Sequence, residues 1–372
     1  MSVYVFPGQG SQFKGMGADL FDLFPELTET ASQLLGYSIK QLCVEDPHQQ
    51  LNDTRFTQPA LYVVNALSYR KKQQEAGDKP NYLAGHSLGE YNALEAAGAM
   101  SFSDGLKLVG KRGALMSSAP KGGMAAVIGM TEADVRERLS ANGLSTIDIA
   151  NLNAPTQTIL SGLSEDIERA AAFFENGPVR YVPLNTSGAF HSRYMEPAKR
   201  EFEAYLRGFS FSPLSIPVIS NVDGLPYRPG DIQSNLAAQI THSVQWTKSI
   251  RYLLDQGETA FHELGVGQVL TRLIGAIRQH APSTAEQPAA IAVAPSSPHY
   301  DREAEQAALH RQIDEWNLHH PVGTQVEVAS YDQILITRSK ALPLFGHRAA
   351  IYLEGYNGYF ELNEVHPAKA GL

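Results

Sequence analysis

Cysteine is nearly missing: Cys43 is the sole one in 372 residues. A single thiol excludes an internal disulfide and a cysteine-based zinc site, and Cys43 reads as a small buried hydrophobe. Long apolar runs are missing as well. None approaches the roughly 18 residues of a membrane span, so no membrane crossing is expected. Positive charge is in deficit, with 30 Lys and Arg against 39 Asp and Glu and a net charge of −9. That balance argues against a nucleic-acid binder. A basic leader is missing too. Met1-Ser2-Val3-Tyr4-Val5-Phe6 enters a strand pattern at once, so no signal peptide and a cytoplasmic location are expected. What remains is 43% apolar and 19% charged residues, the composition of a globular chain long enough for two or three domains.

Residues 1–280 alternate short apolar runs with helical patterns. A strand over Val3–Phe6 leads into the turn Pro7-Gly8-Gln9-Gly10-Ser11-Gln12. Helices are expected around 18–36, 58–76, 89–97 and 103–117, and this βα alternation implies a mostly parallel sheet covered by helices. Residues 123–185 read differently. Strand, helix, strand, strand, helix, strand is the order of a ferredoxin-like unit, inserted in the larger one. Strands at Val218–Asn221 and Ala260–Glu263 and helices at 194–207 and 245–256 return to the larger subdomain. Residues 281–300 are rich in Ala, Pro, Ser and Gln and read as a linker. Residues 301–372 form a small module, with a helix over Arg302–Trp316 and then alternating apolar runs broken by Gly346, Gly355 and Gly358, which predict an antiparallel barrel or sheet.

The chemistry concentrates near residue 87. Gly85-His86-Ser87-Leu88-Gly89 follows a short strand and precedes a helix, the pattern of a nucleophile elbow. A serine on such a turn sits at strained φ/ψ, its hydroxyl stands above the sheet, and the Leu88 N–H faces a developing oxyanion. The alternative is a glycine-rich turn with an idle serine. A hydroxyl needs a base, and His191, in Ser187-Gly188-Ala189-Phe190-His191-Ser192, lies where the chain leaves the inserted subdomain. His86 is expected to point away from Ser87, and His242 is a weaker competitor. No aspartate stands where a triad acid belongs, so a Ser–His dyad is expected, with a neutral carbonyl as orienter. Gln245 is one candidate for that role; a plain helix N-terminal polar residue is the alternative. The turn Gly8-Gln9-Gly10 suits a second oxyanion donor, which pairs the Gln9 and Leu88 N–H groups.

Four segments together carry a resemblance: Phe6-Pro7-Gly8-Gln9-Gly10-Ser11-Gln12, Phe56-Thr57-Gln58-Pro59-Ala60, Gly85-His86-Ser87-Leu88-Gly89-Glu90 and Gly188-Ala189-Phe190-His191. Residues 1–280 resemble the malonyl-CoA:acyl carrier protein transacylases, and within them the free-standing acyltransferases that serve polyketide synthases. The resemblance implies an α/β-hydrolase-like large subdomain carrying a ferredoxin-like small one. It implies Ser87 and His191 as dyad, Gln245 as orienter, Gln9 and Leu88 as oxyanion donors, Gln58 lining the cleft, and an active-site asparagine at Asn153 or Asn151. It places a carboxylate-binding arginine at Arg112, whose guanidinium fork can hold a malonyl carboxylate with two parallel hydrogen bonds. Phe190 is similar to the residue that narrows the site in malonyl-type members.

The implied reaction moves malonyl from malonyl-CoA to Ser87 and on to the phosphopantetheine thiol of an acyl carrier protein. No metal or redox cofactor is implied; the coenzyme A thioester is the substrate. Arg70-Lys71-Lys72 and Lys199-Arg200 are candidate basic patches for an acidic carrier protein. Two other readings stand beside this one. An acyl hydrolase of the same fold would gain nothing from Arg112, and a non-catalytic carrier-docking scaffold would not need the Ser87/His191 pair. The tail departs from the family. Its His319-His320 pair reads as a polar turn rather than a metal site, and the module as an accessory one.

Overall fold

The computed structural model describes residues 2–76, 79–174, 178–280, 302–328, 331–344, 348–355 and 359–368. The chain divides into two compact units, Met1–Ala281 and Pro282–Leu372. The first runs β1 (Ser2–Phe6), α1 (Pro25–Leu35), α2 (Ile39–Val44), α3 (Thr54–Ala76), β2 (Tyr82–Gly85), α4 (Gly89–Ala96), α5 (Phe102–Ser117), β3 (Gly123–Ile128), α6 (Glu132–Ala141), β4 (Asp148–Ala154), β5 (Gln157–Gly162), α7 (Ser164–Phe174), β6 (Arg180–Pro183), α8 (Glu196–Leu206), β7 (Val218–Ile219), α9 (Ile232–Gln239), α10 (Trp246–Asp255), β8 (Ala260–Glu263) and α11 (Val269–Gln279).

Four of these strands form a parallel sheet in the order β7-β2-β1-β8. Alternation along β1 explains its two cores. Tyr4 and Phe6 face a large cluster with side chains from α1–α5, α8 and α9, whereas Val3 and Val5 face a second cluster with α10 and α11. A sheet covered on both faces needs this double burial. The C-terminal ends of adjacent parallel strands are where such sheets place their chemistry. Here β1 and β2 pair with Phe6 opposite Gly85, so the turn after β1 lies beside the turn after β2.

The inserted subdomain is an antiparallel sheet, β4-β5-β3-β6. Val135 and Leu139 of α6 and Ile167, Ala170 and Phe174 of α7 pack on one face of it. This is the ferredoxin-like order read from the chain. Irregularities in β4 at 149–151 and 152–154 bend this edge strand. The bend lets β4 meet the large subdomain, where Leu152 N–H donates to Val244 O (2.9 Å) and Val244 N–H to Ala150 O (2.8 Å).

Two local expectations need correction. The first long helix begins at Pro25, not at 18, because turns occupy the stretch before it and proline suits a first helical turn. A helix over 232–239 is not expected from the sequence pattern, yet one forms there. α9 is eight residues long, too short to establish a period.

The second unit holds α12 (Arg302–His319) and strands β9 (Gln325–Val328), β10 (Tyr331–Ile336), β11 (Leu342–Leu344), β12 (Arg348–Tyr352), β13 (Tyr359–Glu361) and β14 (Val365–Pro367). They form two antiparallel sheets, β10-β9-β14 and β11-β12-β13. Ile313 of α12 joins Val326, Val328, Leu335, Ile351 and Leu353 in its core. Asn317 ties α12 to the sheet through both atoms of its amide, at 2.8 and 2.7 Å from Ala341 O and N. His320 lies against Trp316, ring centroids 4.4 Å apart. The linker expected over 281–300, and Gly346 and Gly358, lie outside the described residues.

Candidate active site

Ser87 has φ of 51°, a left-handed value that costs a non-glycine residue about 1–3 kcal/mol. Its neighbours must therefore be small. A methyl on Gly85 would overlap the Gly89 carbonyl, and one on Gly89 would overlap Phe6 O. Asn221, just past β7, latches the turn. Its Oδ1 accepts from Ser87 N–H (2.6 Å) and its Nδ2 donates to Gly85 O (2.6 Å). Glu90, in the first turn of α4, accepts in turn from Asn221 N–H (2.9 Å) and the Tyr227 hydroxyl (2.8 Å).

The structure brings His191 to Ser87. Oγ and Nε2 are 2.7 Å apart, although 104 residues separate them in sequence. His191 also has positive φ, 57°. Its Nδ1 lies 2.8 Å from the main-chain oxygen of Gln239. A carbonyl can only accept, so Nδ1 carries the proton and Nε2 is left to accept from the Ser87 hydroxyl. Burial, reinforced by the nearby Arg112 charge, pushes the His191 pKa down to about 3. The imidazole is thus neutral at neutral pH, the form a base requires.

The orienter is where the sequence reading goes wrong. Gln245 does not contact His191. It precedes α10, its N–H donates to Asn221 O (2.8 Å), and it lines a separate groove with Leu152, Ala154 and Tyr252. Gln239, the last residue of α9, does what was expected of it, through its main chain. Any residue type offers that carbonyl, so no side-chain signature marks it. Asn153 is also displaced from its expected place. Its Oδ1 accepts from His86 Nε2 (2.8 Å), and His86 packs edge-on to Trp246. His86 thus faces away from the hydroxyl, with its pKa lowered by burial. Asn151 bridges to Val244 and makes no hydrogen bond through Oδ1.

Arg112 is fully buried at 0% exposure. Gly113 makes this placement possible: a Cβ there would stand 3.0 Å from Thr54 O, so α5 lies close against the first turns of α3. That closeness brings Arg112 Nη1 to Gln58 Oε1 (2.8 Å). Nη2 donates to Gln239 Oε1 (2.8 Å) and to Ser87 Oγ (3.1 Å). The guanidinium lies over the Tyr91 ring, 5.6 Å from its centroid. A buried cation therefore touches the nucleophile itself. Burial lowers its pKa, but guanidinium stays charged in proteins.

The Gln9 turn packs on the elbow, since a methyl on Gly8 would overlap His86 O. Gln9 is tethered by Nε2 to Thr54 Oγ1 (3.0 Å). The main-chain N–H groups of Gln9 and Leu88 make no hydrogen bond to the described residues. Phe190 is buried beside His191 against Gly188. The two basic runs are largely paired. Arg70 bonds Glu95, Lys71 bonds Asp19, and Lys199 and Arg200 share Glu196. Among the described residues no helix is long and apolar enough to cross a membrane.

Residues 3–306 match the family model described as an acyl transferase domain. The chain is 60% identical over 280 residues to the polyketide biosynthesis malonyl CoA-acyl carrier protein transacylase BaeC of Bacillus velezensis, covering 75% of this chain and 97% of the relative. It is 40% identical over 302 residues to the malonyl CoA-acyl carrier protein transacylase of Escherichia coli, covering 78% and 97%. The solved malonyl CoA-acyl carrier protein transacylase of Burkholderia pseudomallei superposes with a TM-score of 0.75 at 51% identity, over 76% of this chain and 99% of that one. With an elbow serine, a neutral histidine and a buried arginine gathered beyond the C-terminal ends of the central strands, the chain belongs to the acyl transferase domain family, among its malonyl-CoA:acyl carrier protein transacylases.

Proposed function

We propose that this chain transfers a malonyl group from malonyl-CoA, through an ester on Ser87, to the phosphopantetheine thiol of an acyl carrier protein, in polyketide biosynthesis. The observation that carries this reading is the buried Arg112 guanidinium, 3.1 Å from the Ser87 hydroxyl. The direct hydrogen-bond partners of that guanidinium are neutral oxygens of Gln58, Gln239 and Ser87, so it has charge-assisted bonds to offer a carboxylate that reaches it. Malonyl supplies one, since its carboxylate lies two carbons from the carbonyl under attack.

The steps follow from the hydrogen bonds. His191 Nε2 takes the Ser87 proton as Oγ attacks the thioester carbonyl. The carbonyl oxygen becomes an anion, received by the Leu88 and Gln9 N–H groups. The C–S bond then breaks, and His191 returns the proton to the coenzyme A thiolate. In the second half the carrier thiol gives its proton to His191 and attacks the ester, and Ser87 leaves with that proton. Gln239 O holds the imidazolium that forms in each half. Arg112 Nη2 exchanges the Ser87 hydroxyl for the malonyl carboxylate as malonyl-CoA binds, and keeps it through the ester. Phe190 walls the site against a substituent on the malonyl α-carbon.

A hydrolase of the same fold would have no use for Arg112, and a scaffold none for the Ser87–His191 contact. Intact-protein mass spectrometry after mixing with malonyl-CoA tests the reading. We expect a malonyl adduct that persists in buffer, is absent in Ser87→Ala, and moves to a holo carrier protein on addition. Release of free malonate without a carrier points instead to the hydrolase.

A further inference from the structure

The transfer steps above leave one buried acid unused. Glu90 is fully buried, and its carboxylate accepts from Asn221 N–H, the Tyr227 hydroxyl and Gln239 Nε2. Gln239 links it to Arg112. The amide nitrogen donates to Glu90 and to Ser87 O (2.9 Å), and the amide oxygen accepts from Arg112 Nη2 (2.8 Å). The amide can face only one way, because Glu90 and Ser87 O are both acceptors. Among the described residues no carboxylate pairs with Arg112 directly. The other charged or titratable groups facing Glu90 are Tyr227 from the segment after β7, Tyr91 from α4 and Arg112 from α5; Asp223 acts on Tyr227, and neutral His191 stands beyond Gln239.

We propose that Glu90 is a positioning residue, the internal counter-ion of Arg112 through the Gln239 amide, and that it takes up one proton from solvent when a malonyl carboxylate reaches the same guanidinium. The inference rests on the malonyl-transfer reading. One buried cation cannot compensate two carboxylates in a dry site. The substrate's carboxylate receives charge-assisted bonds directly and keeps its charge, whereas Glu90 touches Arg112 only through an amide. Burial already pushes Glu90 up to about 7, with the arginine's charge among the forces opposing that rise. Drawing that charge to substrate removes the opposition. The proton is accommodated on the oxygen facing Tyr227, whose hydroxyl can rotate to accept, so the Gln239 bond survives.

Calorimetry tests this with the full chain carrying Ser87→Ala, titrated at about pH 7.5 in two buffers of different ionisation enthalpy. We expect more than about half a proton taken up per malonyl-CoA bound, none per acetyl-CoA, and none for malonyl-CoA once Glu90→Gln is added. In the enzyme with Ser87 intact, KM for malonyl-CoA rises by up to about tenfold per pH unit above neutrality, while KM for acetyl-CoA does not follow. A purely structural Glu90 would shift stability without changing this proton count. Tyr227→Phe gives a second, milder reading. It removes one donor from the carboxylate, so the pH midpoint of uptake moves up and uptake at the same pH shrinks. Equal uptake with both thioesters, or uptake that persists in Glu90→Gln or is unmoved in Tyr227→Phe, overturns the proposal. Failure of the intact enzyme to form any malonyl adduct by mass spectrometry is a different result; it removes the transfer reading and this inference with it.

Discussion

Asn221→Ala is the substitution whose consequences can be worked furthest. The side chain contacts no substrate in the mechanism above, yet it holds the elbow from both sides, at 2.6 Å to Ser87 N and 2.6 Å to Gly85 O. Alanine strands a main-chain donor and acceptor at a site where Asn221 itself is only 2% exposed. Each orphaned group costs about 1–3 kcal/mol. Relaxation of Ser87 from its φ of 51° returns part of that, since such strain is about 1–3 kcal/mol. The net loss is about 2–3 kcal/mol, a fall in Tm of about 3–5 °C for a unit of this size. The effect on chemistry is larger than on stability. A relaxed Ser87 moves Oγ away from His191 Nε2 and turns the Leu88 N–H, and a displacement of about 1 Å costs about a hundredfold in rate. Thermal unfolding and the rate of acylation by malonyl-CoA, followed by intact mass, read the two effects separately. A folded Asn221→Ala protein acylated at the unsubstituted rate would refute the idea that this latch creates the nucleophile.

Three further outcomes follow. The folded state refuses the His191 proton down to about pH 3, whereas an unfolded histidine binds it near pH 6.5. Stability therefore falls as pH drops through that window, while Glu90, raised to about 7, contributes with the opposite sign as pH rises from about 4.5 to 7; His191→Gln should lose less Tm between pH 7 and pH 5 than the unsubstituted protein, as differential scanning fluorimetry will read. Phe190→Ala should raise acceptance of methylmalonyl-CoA relative to malonyl-CoA by about tenfold to a hundredfold, in line with about 1–3 kcal/mol for one methyl, read in direct competition. The Cys43 thiol is fully buried and its pKa is pushed up by that burial, so an aromatic disulfide reagent should leave it untouched in the native protein and titrate it in denaturant.

Much of this site was legible in the chain because its parts depend on residue type. Only glycine fits at positions 85 and 89, only serine or a close equivalent serves at 87, and only a guanidinium holds a carboxylate from two sides. The alternation along β1 and the strand–helix order over 123–185 were legible for a similar reason, since burial on one face imposes a period. What escaped was the support behind those residues. The His191 orienter is the main-chain carbonyl of Gln239, which side-chain chemistry does not mark, whereas Gln245 carries a conspicuous side-chain amide. α9, which carries Gln239, is short and follows Pro229-Gly230, a pair that reads as loop. Asn153 has the right chemistry but sits behind the elbow, on His86, and only the bend in β4 decides that. Asn221 and Glu90 act through each other, and no spacing in one sequence announces a hydrogen bond across 131 residues.

The central claim is that Arg112, beside Ser87, reads the substrate's free carboxylate. It is tested most directly by acylation of Arg112→Ala with malonyl-CoA and acetyl-CoA, compared as kcat/KM. Removing one partner of a buried ion pair costs about 3–5 kcal/mol. The account therefore predicts a loss of about a hundredfold to a few thousandfold for malonyl-CoA and less than about tenfold for acetyl-CoA. Glu90, left without its counter-ion, should protonate and let the variant fold. A folded Arg112→Ala enzyme that keeps its preference for malonyl-CoA would contradict the account.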